Sequence, residues 1–144
     1  LILYLDTSAL VKRYVAEIGT DRVLRDMNRA KGCATSLLTY AEMRSALSRL
    51  TRRGLQSRDV VENVTTEFED GWRDLTHVAP DPQLVSRAGS LAAEIDLRAY
   101  DAVHLASAER IRNATVGARV VFACFDASLN RAAHLLGFEV LSET

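Results

Sequence analysis

The fold is decided by LILYLDTSALVKRY, residues 1–14. Five apolar residues run unbroken through 1–5, a carboxylate follows at Asp6, and two hydroxyls, Thr7 and Ser8, come next. A short continuous apolar run reads as a strand buried on both faces, at the centre of a parallel sheet. Asp-Thr-Ser is a helix-start signal, and the apolar pattern resumes at Ala9, Leu10 and Val11. Asp6 is therefore expected at the C-terminal end of a central strand, facing a helix N-terminus. In open parallel sheets that edge is where ligands bind. Taken alone, Asp6 has the plainer reading of a helix N-cap.

A second copy of the pattern changes the weight of the first. Residues 120–125, VVFACF, form another apolar run that meets a carboxylate, Asp126, and then a helical pattern. Two buried strands, each ending in an Asp, suggest two walls of one acidic site. The segments between fill in alternately. A short helix is expected over 10–15, and a helix capped by Thr20 over 21–30. A strand follows at 33–36, then a helix over 39–53 opened by a Thr39-Tyr40-Ala41-Glu42 capping box. Ser57 opens the next helix, with Val61, Val64, Phe68, Trp72 and Leu75 as one apolar stripe and Gly71 inside it at a cost of about 1 kcal/mol. A weaker strand at 76–79 and the prolines Pro80 and Pro82 precede helices at 84–95 and 101–112. A strand at 120–125, a helix over 129–136 and a last strand at 138–141 complete the chain. Strands alternating with helices imply βαβ units and a parallel sheet covered on both faces.

The bulk numbers exclude several classes. At 144 residues, with 48% hydrophobic and 26% charged residues, the chain reads as one globular domain spanning 1–144. With 18 basic against 19 acidic residues, it lacks the basic excess of a nucleic-acid-binding tail, so a nucleic-acid partner would need a local patch or metal ions. Cys33 and Cys124 make neither a disulfide framework nor a zinc site, and buried thiols of a cytoplasmic protein are expected. No run approaches membrane-spanning length. The first 14 residues read as folded strand and helix rather than as a signal peptide, and the missing Met leaves room for trimmed residues.

Four carboxylates share one kind of position: Asp6 and Asp126 at strand ends, Glu42 and Asp101 in the first turns of helices. Each alone has a structural explanation as a cap, a capping-box partner or an acid on a helix dipole. Together, converging on one sheet edge, they would repel one another and draw in a cation. Such a set favours a hard, oxygen-loving ion, Mg²⁺ or Mn²⁺. Divalent ions in a carboxylate cage can supply phosphodiester hydrolysis without a Ser or Cys nucleophile. His104, His77 and His134 are expected to be packed or solvated rather than ligands. The arginines Arg44, Arg49, Arg52, Arg53 and Arg58 read as a solvated face, or as a rim for RNA phosphates or an acidic partner. Asn130, one turn beyond Asp126, is within reach of the same site, but the plainer reading is a solvated helix residue.

Four stretches together resemble the PIN-domain nucleases, in particular VapC-type toxins. They are YLDTSALVK at 4–12, TSLLTYAE at 35–42, RAYDAVHLA at 98–106 and FDASL at 125–129, with Ala132-Ala133 and Leu136-Gly137-Phe138 beyond. The resemblance spans nearly the whole chain. It implies a three-layer α/β/α fold with a central parallel sheet of about five strands. It also implies a metal-dependent endoribonuclease, the toxin of a type II toxin–antitoxin module. Asp6, Glu42, Asp101 and Asp126 match the family's metal-binding acids, with Mg²⁺ or Mn²⁺ as cofactor. RNA is the implied substrate, a cognate antitoxin and a second copy of the chain are the implied partners, and Trp72 is a residue such a copy would bury. One departure stands out: many relatives carry Thr or Ser two residues before the last acid, where this chain has Cys124. The alternative is a catalytically weak PIN-like binding module. An aspartyl-phosphate phosphatase would need Asp rather than Ser at position 8, a receiver domain would need adjacent acids after strand 1, and no phosphate-binding glycine loop occurs.

Overall fold

The structure, a computed structural model, describes residues 1–141. The last three residues of the expected 1–144 domain lie outside the described residues. Five parallel strands form one sheet: β1 (Ile2–Leu5), β2 (Gly32–Ser36), β3 (Thr76–Val78), β4 (Val120–Ala123) and β5 (Glu139–Leu141), in the order β3-β2-β1-β4-β5. The chain builds outward from β1 in one direction, then crosses back to lay β4 and β5 on the other side. The order reverses between β1 and β4, which makes their C-terminal ends the switch point where such sheets open a crevice.

The apolar run at 1–5 is buried on both faces, as its composition requires. Leu3 and Leu5, both fully buried, pack with Val121 and Ala123 against α1 (Thr7–Tyr14), α2 (Thr20–Arg29), α3 (Thr39–Arg52) and α4 (Arg58–Trp72). Tyr4, also fully buried, points the other way. It packs with Ala34, Phe122 and the faces of α5 (Pro82–Ile95), α6 (Ala99–Ala114) and α7 (Ala127–Leu135). This period-2 alternation splits the core into two layers and gives the expected α/β/α sandwich. Tyr4 stacks on Phe122 with ring centroids 5.6 Å apart. The Val61-to-Leu75 stripe lies against the first layer through Phe68, and Trp72 is half-buried by its own chain, on Tyr40, Phe68 and His77. Gly71 is explained in α4 by close approach: a Cβ there would run into the Tyr14 hydroxyl.

Local details depart from the sequence reading, for identifiable reasons. Thr20 does not cap α2. Gly19, in the left-handed region at φ 97°, precedes the helix, and the Thr20 hydroxyl ties the preceding loop to Val15 O and Glu17 N. No capping box forms at α3: the N-cap is Leu38 in a helical conformation, so Thr39 Oγ1 pairs with Thr35 Oγ1 at 2.7 Å and Glu42 is left for another partner. β4 ends at Ala123, so Asp126 does not end a strand but caps α7. Helix α1 begins at Thr7, directly after Asp6, rather than at 10. Pro82 sits in the first turn of α5, where its missing N–H costs nothing, with Asp81 as the cap.

Candidate active site

Asp6 leaves β1 and turns at once into α1. Its Oδ1 accepts hydrogen bonds from Ala9 N at 3.1 Å and Ser8 Oγ at 2.7 Å, and its residue is 5% exposed. The N-cap reading is therefore correct, but it occupies only one carboxylate oxygen. Burial pushes the Asp6 carboxyl above the ordinary range, against the opposing field of His104 and the Ser8 bond. Across the switch point, Asp126 is built the same way: Oδ1 accepts from Leu129 N at 2.9 Å, and Oδ2 faces the guanidinium of Arg98 at 3.9 Å. Asp101, in the first turn of α6, turns its Oδ2 to the same guanidinium at 3.4 Å.

Glu42 is reached from the other side. Both of its hydrogen bonds fall on Oε1, from Thr7 Oγ1 at 2.9 Å and His104 Nε2 at 2.8 Å. Partial burial pushes its pKa up, but the hydrogen bond and field of His104, with the Thr7 hydroxyl, outweigh burial and hold Glu42 below its ordinary value. His104 is 2% exposed and lies one helical turn after Asp101, and its Nδ1 meets the Tyr4 hydroxyl at 2.9 Å. Burial raises the Tyr4 phenol well above its usual pKa, so the hydroxyl keeps its proton. His104 is packed, as expected, yet it also holds a site carboxylate. The other two histidines stand apart: His77 stacks on Trp72 and bonds its carbonyl, and His134 is exposed on α7.

Contacts thus link all the acids around one edge. Asp6 reaches Ser8, which touches Cys124; Cys124 meets the backbone of Asp126; Arg98 spans Asp126 and Asp101; His104 carries the chain from α6 to Glu42; and Thr7 returns it beside Asp6. Cys124 takes over the turn that a hydroxyl would hold: its Sγ accepts from Asp126 N at 3.3 Å. Burial pushes that thiol far up, so it stays neutral. Asn130 is not a solvated residue. It is half-buried, its Nδ2 donates to Cys124 O at 2.8 Å, and its Oδ1 is buried without a partner among the described residues.

The chemistry of this set suits a hard cation. The donors are carboxylate oxygens, an orphaned amide oxygen sits one turn from Asp126, and a guanidinium already lies against two of the acids. Among the described residues no three His, Cys, Asp or Glu side chains are gathered into a metal-binding group, so a bound ion would have to draw the acids in and move Arg98 aside. The sequence reading missed Arg98 and the His104–Glu42 bond, and it weighed Asn130 toward solvent rather than toward the site it reaches. A signal existed for His104, a polar residue inside the apolar face formed by Ala102, Leu105 and Ala106. The arginines expected to cluster are all exposed, and Arg44 pairs with Glu69 at 3.0 Å.

Comparison with known proteins bears on the family and the fold. The sequence profile of the PIN domain matches residues 3–135. Two Mycobacterium tuberculosis proteins, Ribonuclease VapC45 (strain CDC 1551 / Oshkosh) and Ribonuclease VapC49 (strain ATCC 25618 / H37Rv), are each 30% identical over 139 residues, covering 96% of this chain and 94% of theirs. The crystal structure of PAE2754 from Pyrobaculum aerophilum superposes with a TM-score of 0.70 at 18% identity, over 97% of this chain and 83% of that one. VapBC2 from Rickettsia felis, crystallised with a DNA fragment from its promoter, gives 0.67 at 12% identity, over 99% and 98%. At such identities the structural matches speak for the fold, and the sequence matches carry the kinship. The chain belongs to the PIN-domain family, with the VapC ribonucleases among its relatives.

Proposed function

We propose that this chain is a metal-dependent endoribonuclease, the toxin of a type II toxin–antitoxin pair. One observation carries the reading: contacts between residues remote in sequence link Asp6, Glu42, Asp101 and Asp126 along a single edge at the switch point, and Asp6, Glu42 and Asp101 each keep one carboxylate oxygen outside those contacts. The names of the relatives, ribonucleases of the VapC type, support it. In this reading Asp6 and Asp101 hold the principal Mg²⁺ or Mn²⁺ ion, Asp126 assists, and Glu42 binds metal or orients the attacking water through Oε2. When bound, such ions activate a water, neutralise phosphate oxygens and stabilise the leaving oxygen. The protein's own part is positional. Ser8 and Ala9 fix Asp6, Thr7 and His104 fix Glu42, and the lowered Glu42 pKa keeps that carboxylate ionised, as holding a cation requires. Several solved neighbours are toxin–antitoxin complexes, from Rickettsia felis, Klebsiella pneumoniae and Salmonella typhimurium. By analogy we assign this chain a cognate antitoxin, a second copy of itself as partner, and a cytoplasmic site of action. No helix of the described residues is long and apolar enough to cross a membrane.

A second reading, a PIN-like module that binds without cutting, is favoured by the absence of a preassembled metal group among the described residues. Cleavage of pooled cellular RNA by the purified protein, freed of any partner, separates the two. The nuclease reading expects discrete products with Mg²⁺ or Mn²⁺, none with EDTA and none from Asp6→Asn. Folded, metal-supplied protein that leaves every RNA intact would make the binding module the better account.

A further inference from the structure

A cleft of about 380 Å³ opens directly beside Glu42 and has no role in the mechanism above. It is lined by Thr7 and Glu42 of the site, by Leu38, Ala41 and Ala46 as apolar wall, and by Tyr100 and Arg49. Tyr100 is unusual for its position. It adjoins Asp101 in the first turn of α6, yet it is 61% exposed, so a large aromatic ring is presented to solvent next to the acidic edge. Arg49 is exposed and bonds only to Ser45 Oγ, at 2.9 Å, with no ion pair among the described residues. Larger clefts lie over residues 16–25, between α3 and α4 and between α5 and α6, but none of them is lined by any of the site acids.

We propose that this cleft is a nucleobase subsite, in which an unpaired base of an RNA strand next to the cut phosphodiester stacks on Tyr100 while Arg49 holds a phosphate further along. The inference rests on the nuclease reading and deepens it by assigning a place on this chain to one unpaired base of the substrate. Three features converge on that occupant. An exposed ring beside an acidic edge offers a stacking platform, and stacking is the usual way proteins grip unpaired bases. The apolar wall suits a base face, whereas a backbone alone would want donors throughout. The Arg49 guanidinium, in no ion pair among the described residues, supplies the positive charge that a neighbouring phosphate needs beside acids that repel it. A paired duplex cannot place a base here without opening, so the cleft selects for unpaired segments.

The test uses a short single-stranded RNA that the wild-type protein cuts at a mapped bond. Nucleotides flanking the bond are replaced one at a time by an abasic residue. In parallel, 2-aminopurine is placed at each position and its fluorescence read on binding to the Asp6→Asn protein with Mg²⁺. We expect one position at which abasic RNA is cut with KM raised about tenfold and kcat little changed, and at which 2-aminopurine is quenched on binding. Tyr100→Ala should abolish both the quench and the penalty of the abasic site, Tyr100→Phe should retain both, and thermal melts should confirm that the variants fold. Arg49→Ala should raise KM for every RNA alike. If all abasic RNAs are cut like the parent, or the quench persists in Tyr100→Ala, the subsite is refuted while the nuclease reading stands. If the wild type cuts no RNA, the nuclease reading fails, and the quench alone decides whether Tyr100 grips a base. A Tyr100→Ala protein that loses affinity for a protein partner while RNA affinity is unchanged would also overturn the proposal, in favour of a protein-docking cleft.

Discussion

Replacing Tyr4 by Phe removes one oxygen atom and tests how the acidic edge is built. The phenyl ring fills the same space and keeps its stack on Phe122, so no cavity opens. What is lost is the partner of His104 Nδ1, at a site where Tyr4 is fully buried and His104 is 2% exposed. Ser107, which also lies beside the Tyr4 hydroxyl, could step in only by giving up its bond to Val103 O at 2.7 Å. A buried ring nitrogen left without a partner costs about 1–3 kcal/mol. For a chain of 144 residues, each kcal/mol lowers the melting temperature by about 3 °C, so the expected drop is about 3–10 °C. The assay is thermal unfolding of Tyr4→Phe, His104→Leu and the double variant. Because the double variant leaves neither partner polar, Tyr4→Phe should cost much less in the His104→Leu background than alone. A melting temperature within about 1 °C of wild type for Tyr4→Phe, or full additivity in the double variant, would refute the claim that Tyr4 and His104 form one buried unit under Glu42.

Metal should act first on stability. Mg²⁺ at about a hundred times its dissociation constant is expected to stabilise the protein by about 2.7 kcal/mol, or ~8 °C, with no shift in the Asp6→Asn plus Asp101→Asn variant. An equal shift in that variant would mean the ion binds elsewhere. Arg98→Ala, which frees Asp101 and Asp126 from the guanidinium, should tighten Mg²⁺ binding by about two- to fivefold in a calorimetric titration, and weaker binding would show that Arg98 does not compete with the ion. Away from the site, the Arg110 hydrogen bond chiefly, with the Leu84 N–H, holds Asp81 at a pKa of about 2. Since that lies below the unfolded value of about 3.9, the stabilising contribution is complete above it and disappears as the pH falls toward 2. Asp81→Asn, which keeps the cap but not the charge, should therefore melt below wild type at pH 7 and converge with it in acid, whereas a gap that stays constant would contradict the assignment.

What the sequence determined by itself was local and periodic. The unbroken run at 1–5 could only be satisfied in a doubly covered strand, and Leu3, Tyr4 and Leu5 are each fully buried there. Ser57 caps α4 as read, because a cap needs only the residues within one turn. The acids stood out because charged residues interrupt apolar patterns where an element ends. The tertiary structure decided which local options were taken. A capping box at Glu42 was a sound local reading, but His104, 62 residues away, competes for the same carboxylate and wins. Tyr4 reaches His104 across 100 residues and Ser8 reaches Cys124 across 116. No window of sequence contains both members of such pairs. The same is true of Arg98 between two acids, of the Asn130 oxygen left without a partner among the described residues and of the cleft lined by Tyr100. Periodicity fixes which face of an element is buried, but only the packed sheet sets which polar side chains meet at its edge, because those meetings depend on strand order.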